Sequence, residues 1–190
     1  MKNIAIFGSA RSGKSTLAKV ISKKFPNYHI IIGDDIRWAF QEILPKLNIN
    51  SNGGSGMKKI FPNFIASYFY KSIKRNNDEI GYIVETCDIT PKKAKELFDK
   101  DNTILVFLIT PGLTIEEHLK EIRKYETEKD WTYGRSEEYM KKHCTYWIQK
   151  SVEYEKECQN LDIWYVDTSF DRDLKLQQAL KKIEKRITKR

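Results

Sequence analysis

Eight consecutive residues, Gly8-Ser9-Ala10-Arg11-Ser12-Gly13-Lys14-Ser15, set two glycines, a lysine and a hydroxyl at the spacing G-x-x-x-x-G-K-[ST]. A turn of this kind lets the backbone N–H groups of residues 9 to 15 converge on an anion. A helix starting at its end adds a favourable dipole. Lys14 is then placed to reach the outer phosphates of a nucleoside triphosphate, and the Ser15 hydroxyl to ligate Mg²⁺. The flanks agree with this reading. Ile4-Ala5-Ile6-Phe7 is an apolar run of strand character, and Leu17, Ala18, Val20 and Ile21 recur at helical spacing. The motif specifies a phosphate donor and leaves the acceptor open.

A second group of chemistry-bearing residues is Gly33-Asp34-Asp35-Ile36-Arg37. One aspartate can cap a helix N-terminus. Two of them followed by an arginine can do more. One carboxylate can accept the proton of an acceptor hydroxyl or help hold water around Mg²⁺, and Arg37 can clamp an acceptor phosphate or carboxylate by paired bonds. Trp38-Ala39-Phe40 either packs on the sheet or walls the acceptor pocket. Glu85 closes a later apolar run and is followed by Thr86-Cys87-Asp88. It can order water around Mg²⁺ or bind the acceptor. Ser15, Asp34 and Glu85 are thus the metal candidates, and Asp34, Asp35, Arg37 and Glu85 the acceptor candidates. Asp88 reads as a turn former, or as part of a cap with Thr90 ahead of Pro91.

Residues 121–135 carry Arg123, Lys124, Lys129, Trp131 and Arg135. A basic connection of this length can fold over bound phosphates as a lid, over about residues 123–136. Arg123 and Arg135 would then neutralise the transferred phosphoryl group. As an ordinary helix connection it would only carry solvated charges. After Asp167, the residues Thr168, Ser169 and Arg172 are placed to border a nucleotide base, with Asp171 as a helix N-cap. Thr114 and Glu117 have capping-box spacing. His29, His118 and His143 show no ligand spacing and read as structural or solvent-facing. Cys87, Cys144 and Cys158 form neither a disulfide framework nor a zinc pattern.

The elements that must position these groups follow from hydrophobic periodicity. Five runs read as strands, at 2–7, 28–32, 80–85, 103–109 and 162–167. Helical patterns fall at about 14–25, 35–44, 58–76, 91–99, 114–128, 136–159 and 172–188. The alternation predicts an α/β fold, a parallel sheet covered by helices on both faces. Right-handed crossovers then put every strand C-terminus along one edge, where ligands bind. Residues 48–56 are polar and glycine-rich and read as a mobile loop. The C-terminal Lys-Arg-Ile-Thr-Lys-Arg reads as a fraying end.

The chain of 190 residues, 40% hydrophobic and 32% charged, suits one soluble domain. Its apolar runs are too short to span a bilayer, and the N-terminus enters a strand with no room for a signal peptide, so a cytoplasmic location is expected. The net charge of +8 favours anionic partners. Nucleotide plus a small anionic metabolite is one such set, and nucleic acid is the alternative. As an assembly, a monomer or a homodimer is expected.

Taken together, the cradle at Gly8–Ser15 with Thr16 after it, the acidic pair, Glu85, the strand end Val106-Phe107-Leu108-x-x-Pro111 and the lid-sized insertion resemble the P-loop small kinases. These are the relatives of adenylate, shikimate and gluconate kinases. The resemblance covers nearly the whole chain. It implies a three-layer α/β/α sandwich with a five-stranded parallel sheet, Mg²⁺ and ATP as donor, and an acceptor region at about residues 35–75. The chain departs from nucleoside monophosphate kinases, which carry Asp-Gly-x-Pro-Arg after strand three. Here that place holds Glu85-Thr86-Cys87-Asp88-Ile89, and the long zinc-binding lid is missing. Asp34-Asp35-Ile36-Arg37 also resembles the Asp-Asp-x-Arg motif of 5′-polynucleotide kinases. That resemblance implies Asp35 as the base and Arg37 as the holder of an acceptor phosphate. Three functions follow as expectations: a small-molecule kinase, a kinase of nucleic-acid ends with a groove along Lys58, Lys59, Lys71, Lys74 and Arg75, and an NTP-dependent switch or ATPase without an acceptor.

Overall fold

The computed structural model describes residues 1–50, 53–76 and 79–188. Five strands, β1 (Asn3–Gly8), β2 (Tyr28–Ile32), β3 (Gly81–Thr86), β4 (Thr103–Ile109) and β5 (Tyr165–Asp167), form one sheet in the order β2-β3-β1-β4-β5. Every pair is parallel. The eight α-helices among the described residues are α1 (Lys14–Lys24), α2 (Gly33–Ile43), α3 (Ser55–Lys59), α4 (Phe61–Arg75), α5 (Pro91–Phe98), α6 (Ile115–Tyr125), α7 (Glu137–Asn160) and α8 (Arg172–Thr188), with a short 3-10 turn at Pro45–Leu47. None is long and apolar enough to cross a membrane.

Strand alternation divides the core in two. Ala5, Phe7, Val84, Leu105 and Phe107 face one side, where α4, α5 and α7 supply Phe61, Ile65, Phe69, Phe98 and Tyr154. Ile4, Ile6, Ile83, Ile104 and Val106 face the other, against Leu17, Ile21, Leu176 and Ile183 of α1 and α8. Phe7 meets Phe98 and Phe107 edge-on, with ring centroids 4.9 and 5.9 Å apart. Such pairs contribute about 0.5–1.5 kcal/mol each beyond area burial. The sandwich expected from the alternating pattern is therefore present, with helices on both faces.

Four local differences from the sequence pattern have physical causes. The run read as one helix over 58–76 is two, because Pro62 has no N–H to continue the ladder and opens α4 instead. Strand β5 starts three residues late. Asp162 adopts φ 51° and Ile163 N–H donates to the Cys158 carbonyl at 2.9 Å, so both residues close α7 before the strand can begin. Helix α2 begins at Gly33, so Asp34 and Asp35 lie in its first turn and neither caps it. Their charges still complement the helix dipole there. The stretch read as a mobile loop over 48–56 buries Ile49 in the core and begins α3 at Ser55; Ser51 and Asn52 lie outside the described residues. Lys189 and Arg190 of the end read as fraying lie outside them too. The capping box of Thr114 and Glu117 is formed, as is the Thr90 cap ahead of Pro91.

The turn after β1 has a strict steric requirement. Gly8 sits at φ 132°, and a Cβ there would lie 1.9 Å from the Leu108 carbonyl oxygen on β4. Gly8→Ala is expected to destabilise the fold by about 2 kcal/mol or more, through left-handed strain and strand separation. Urea denaturation of wild type and variant checks this through the transition midpoint.

Candidate active site

The cradle occupies the C-terminal edge of the sheet. Gly13, at φ 102°, precedes α1, and Lys14 and Ser15 open that helix. Lys14 is buried, and its Nζ donates to the Ser9 carbonyl at 2.6 Å. Ser12 Oγ donates to the same carbonyl at 2.9 Å, and Thr168 Oγ1, from the loop after β5, donates to the Ser12 carbonyl at 2.9 Å. The cradle is thus held from inside and from the far strand. Ser9 Oγ is buried without a partner among the described residues.

The pairing of β1 with β3 sets Ile6 beside Glu85. Ser15 Oγ, one turn beyond, donates to Glu85 Oε1 at 2.9 Å. Burial pushes the Glu85 carboxyl above its ordinary value. Lys14 and the Ser15 hydroxyl oppose this, while Asp34 and Asp35 add to it. A hydroxyl and a buried carboxylate in contact beside a lysine are hard oxygen donors, and they fit a small divalent cation such as Mg²⁺.

On α2, Arg37 is 6% exposed. Its Nη1 donates to Asp88 Oδ2 at 2.7 Å and lies 3.7 Å from Asp34 Oδ1. Burial alone would lower the Arg37 pKa, but Asp88 and Asp34 outweigh it and raise it, so the guanidinium stays charged. Burial raises the Asp88 carboxyl, with Arg37 and the Thr86 hydroxyl opposing. Cys87 lies between the two acids, 3.9 Å from Asp34 Oδ1 and 3.8 Å from Asp88 Oδ1, and burial pushes its thiol up to about 12. Asp34, Cys87 and Asp88 are close enough to share an ion. Arg37 already supplies the positive charge of that cluster. Asp35, by contrast, is exposed on the first turn of α2.

A cavity of about 90 Å³ connects the two halves, lined by Ser9, Arg37, Asp88, Tyr146, Lys150 and Tyr154 among others. Three of these come from α7, which the sequence pattern did not connect with the site. A larger groove of about 290 Å³ between β5 and α8 touches none of the cradle or acidic residues.

The lid-sized loop is compact. Arg123 donates to Glu126 at 2.7 Å, to the Thr132 carbonyl at 3.3 Å and to the Arg135 carbonyl at 2.6 Å, so its guanidinium holds the loop. Arg135 Nε donates to the Trp131 carbonyl at 3.3 Å. The Arg11 side chain leaves the cradle and reaches Asp130 at 2.9 Å. After β5, Arg172 lies 4.2 Å over the Tyr125 ring and 3.5 Å from Thr16 Oγ1, and Ser169 Oγ donates to Asp167 at 2.6 Å. Asp171 flanks α8 at φ 51°, its carbonyl accepting from Lys175 N–H at 2.9 Å. Of the histidines, His29 is exposed and His143 packs against the rings of Trp131, Tyr139 and Trp147, edge-on to the first and tilted to the others.

The residues missed by the sequence pattern are Asp88 as the partner of Arg37, Arg11 as a loop contact, and the α7 wall. Asp88 read as a turn former because only the tertiary fold brings it to α2. The α7 residues are spaced 146, 147, 150, 154, which at helical period is indistinguishable from an ordinary core face.

No protein-family model matches the chain, and no curated protein matches it in sequence. Solved structures do resemble it in fold. Shikimate kinase from Acinetobacter baumannii, in complex with shikimate, superposes with a TM-score of 0.58 at 17% identity, over 100% of this chain and 96% of the other. A gluconokinase from Sinorhizobium meliloti gives 0.57 at 13% identity, over 97% and 92%. A sugar kinase from Janibacter gives 0.60 at 12% identity, over 97% and 95%. The chain therefore shares the fold of these kinases.

His118 gives the site region a pH signature. It is buried on α6 with both ring nitrogens unpartnered among the described residues. Burial, then the nearby Arg172 and Arg11 charges, lower its pKa to about 4. The folded state therefore holds it neutral, while the unfolded chain takes up a proton below about pH 6.5. Its contribution is intact above that pH and is lost as pH falls toward 4, on the order of 3 kcal/mol in all. His118→Phe is expected to flatten this part of the stability–pH curve, as measured by denaturation at stepped pH.

Proposed function

We propose that the protein is an ATP-dependent phosphotransferase that moves the γ-phosphate of Mg²⁺-ATP to a small-molecule acceptor. The observation that carries this is the Ser15–Glu85 hydrogen bond of 2.9 Å beside buried Lys14, opposite the acidic first turn of α2. The backbone of residues 8–16 binds the phosphates, and Lys14 exchanges the Ser9 carbonyl for a phosphate oxygen. Ser15 and Glu85 would hold Mg²⁺, with Asp34 nearby for its water shell. When bound, that ion neutralises phosphate charge.

Asp35 is the proposed base, because it is exposed at the head of α2 while Asp34 is engaged with Arg37 and Cys87. Arg37 binds an anionic group of the acceptor. Its Nε is buried without a partner among the described residues, and Arg37 lines the cavity. Arg135 is the better candidate for a lid donor than Arg123, whose guanidinium is taken by Glu126 and two loop carbonyls. Thr168, Ser169 and Arg172 border the base.

A second reading, a 5′-hydroxyl polynucleotide kinase, draws support from one observation. The α4 residues Phe64 and Tyr68 are exposed and stacked 6.3 Å apart at 7°, with exposed Lys71 and Arg75 continuing the same stripe. Aromatic faces followed by cations suit single-stranded nucleic acid.

Transfer of label from γ-labelled ATP tests the proposal against a metabolite panel and a 5′-hydroxyl oligonucleotide. Label is expected in a metabolite. Lys14→Ala is expected to abolish transfer, and Asp35→Asn to lower it by about 10²–10⁴-fold while sparing ATP binding. Label in the oligonucleotide, with affinity falling steeply in salt, would select the second reading. Release of phosphate alone would indicate an ATPase.

A further inference from the structure

Arg11 stands inside the cradle, yet its side chain belongs to the loop across from it. Its backbone is left-handed, φ 62°, a conformation that costs a non-glycine residue about 1–2 kcal/mol. Its guanidinium donates to Thr132 Oγ1 at 2.5 Å and pairs with Asp130 Oδ1 at 2.9 Å. Both partners are already committed to the loop. Asp130 Oδ2 accepts from the Thr127 N–H at 2.7 Å and from its hydroxyl at 2.9 Å. Thr132 is fully buried, and its carbonyl accepts from Arg123. Arg123 pairs in turn with Glu126, whose side chain is 7% exposed. Two arginines and two acids thus make a charge-balanced network, and one of the four is supplied by the cradle.

This arrangement binds two events together. Anion binding needs the backbone N–H groups of residues 9 to 15 to converge, and the backbone of Arg11 is part of that run. The same backbone conformation carries the Arg11 side chain to Asp130 and Thr132. Loss of that contact would take a hydrogen bond from the hydroxyl of buried Thr132 and the counter-charge from Asp130. The stem of the loop is anchored separately, since Tyr125 donates to Asp173 at 3.2 Å and lies under Arg172. Within residues 127–135, Arg11 reaches Asp130 and Thr132.

We propose that Arg11 is a positioning residue that couples the order of the 127–135 loop to occupancy of the cradle by Mg²⁺-nucleotide. It does so through Asp130 and Thr132, and its guanidinium does not touch the nucleotide. The proposal rests on the nucleotide-binding reading of the cradle. Linkage makes the coupling reciprocal, so a change in the loop must alter nucleotide affinity by the same factor that nucleotide alters loop order.

The test uses the non-hydrolysable ATP analogue AMP-PNP with Mg²⁺, titrated by calorimetry into wild type, Arg11→Ala, Asp130→Ala and the double variant. Each single substitution is expected to weaken binding about tenfold, and the double variant no further. Arg11→Lys, which keeps the charge for Asp130 alone, is expected to fall between wild type and Arg11→Ala. Thr132→Val, nearly the same size, serves if Asp130→Ala does not fold. Tryptic cleavage after exposed Lys129 reads the loop itself. Saturating nucleotide is expected to slow it in wild type and not in Arg11→Ala. Unchanged affinity in Arg11→Ala, a roughly hundredfold loss in the double variant, or undiminished protection of Lys129 in Arg11→Ala would overturn the proposal. Wild type that binds no nucleotide would instead overturn the cradle reading beneath it.

Discussion

The register of β1 between β3 and β4 is the constraint on which the site depends. Gly8 lies opposite Leu108 and Ile6 opposite Glu85. The first pairing forces a glycine into the turn, because a side chain would strike the β4 backbone. The second brings the only acid of β3 to the first turn of α1, where Ser15 meets it. Both pairings belong to parallel backbone ladders in a sheet buried on two faces, and a slip by one residue would move every core side chain of β1 to the opposite face. The cradle and its acid are therefore set by the same ladder that holds the fold.

Charge around that ladder is arranged in local balances. Arg37 meets Asp88 and Asp34, Arg11 meets Asp130, and Arg123 meets Glu126. Buried charges are costly unless paired, and breaking such a pair costs more than its formation contributes. Glu85 stands apart. It is 5% exposed, with Lys14 and Ser15 as its compensation, and burial raises its pKa. A carboxylate held at this expense in the unliganded chain has a natural counter-charge in a divalent cation. This is the physical content of the proposed metal position. Arg37 differs again. Its ion pair uses one nitrogen, and the orphaned Nε leaves it capable of a further bond at the cavity.

How much of this the sequence contained varies with the range of the interaction. The cradle, the parallel sheet and the Thr114 cap are local patterns, and they were legible from spacing alone. Helical period runs on both sides of Pro62, so periodicity alone does not divide the run 58–76 that the proline breaks. Asp162 was not legible as a helix stop, since glycine is the usual residue for that left-handed position. The partnerships of Arg37 with Asp88 and of Arg11 with Asp130 join residues 51 and 119 positions apart in the chain. No local period encodes such a pairing. The contacts of Arg123 with the Thr132 and Arg135 carbonyls are likewise set by the folded loop and not by any local period.

The central claim is that Ser15, Glu85 and Lys14 form a Mg²⁺-nucleotide site, and the most direct measurement is calorimetric titration of the full chain with ATP, with and without Mg²⁺. One-to-one binding that tightens with Mg²⁺, and loses that gain in Glu85→Gln, is the expected result. Absence of binding in both conditions, or affinity indifferent to Mg²⁺ and to Glu85, would contradict the account.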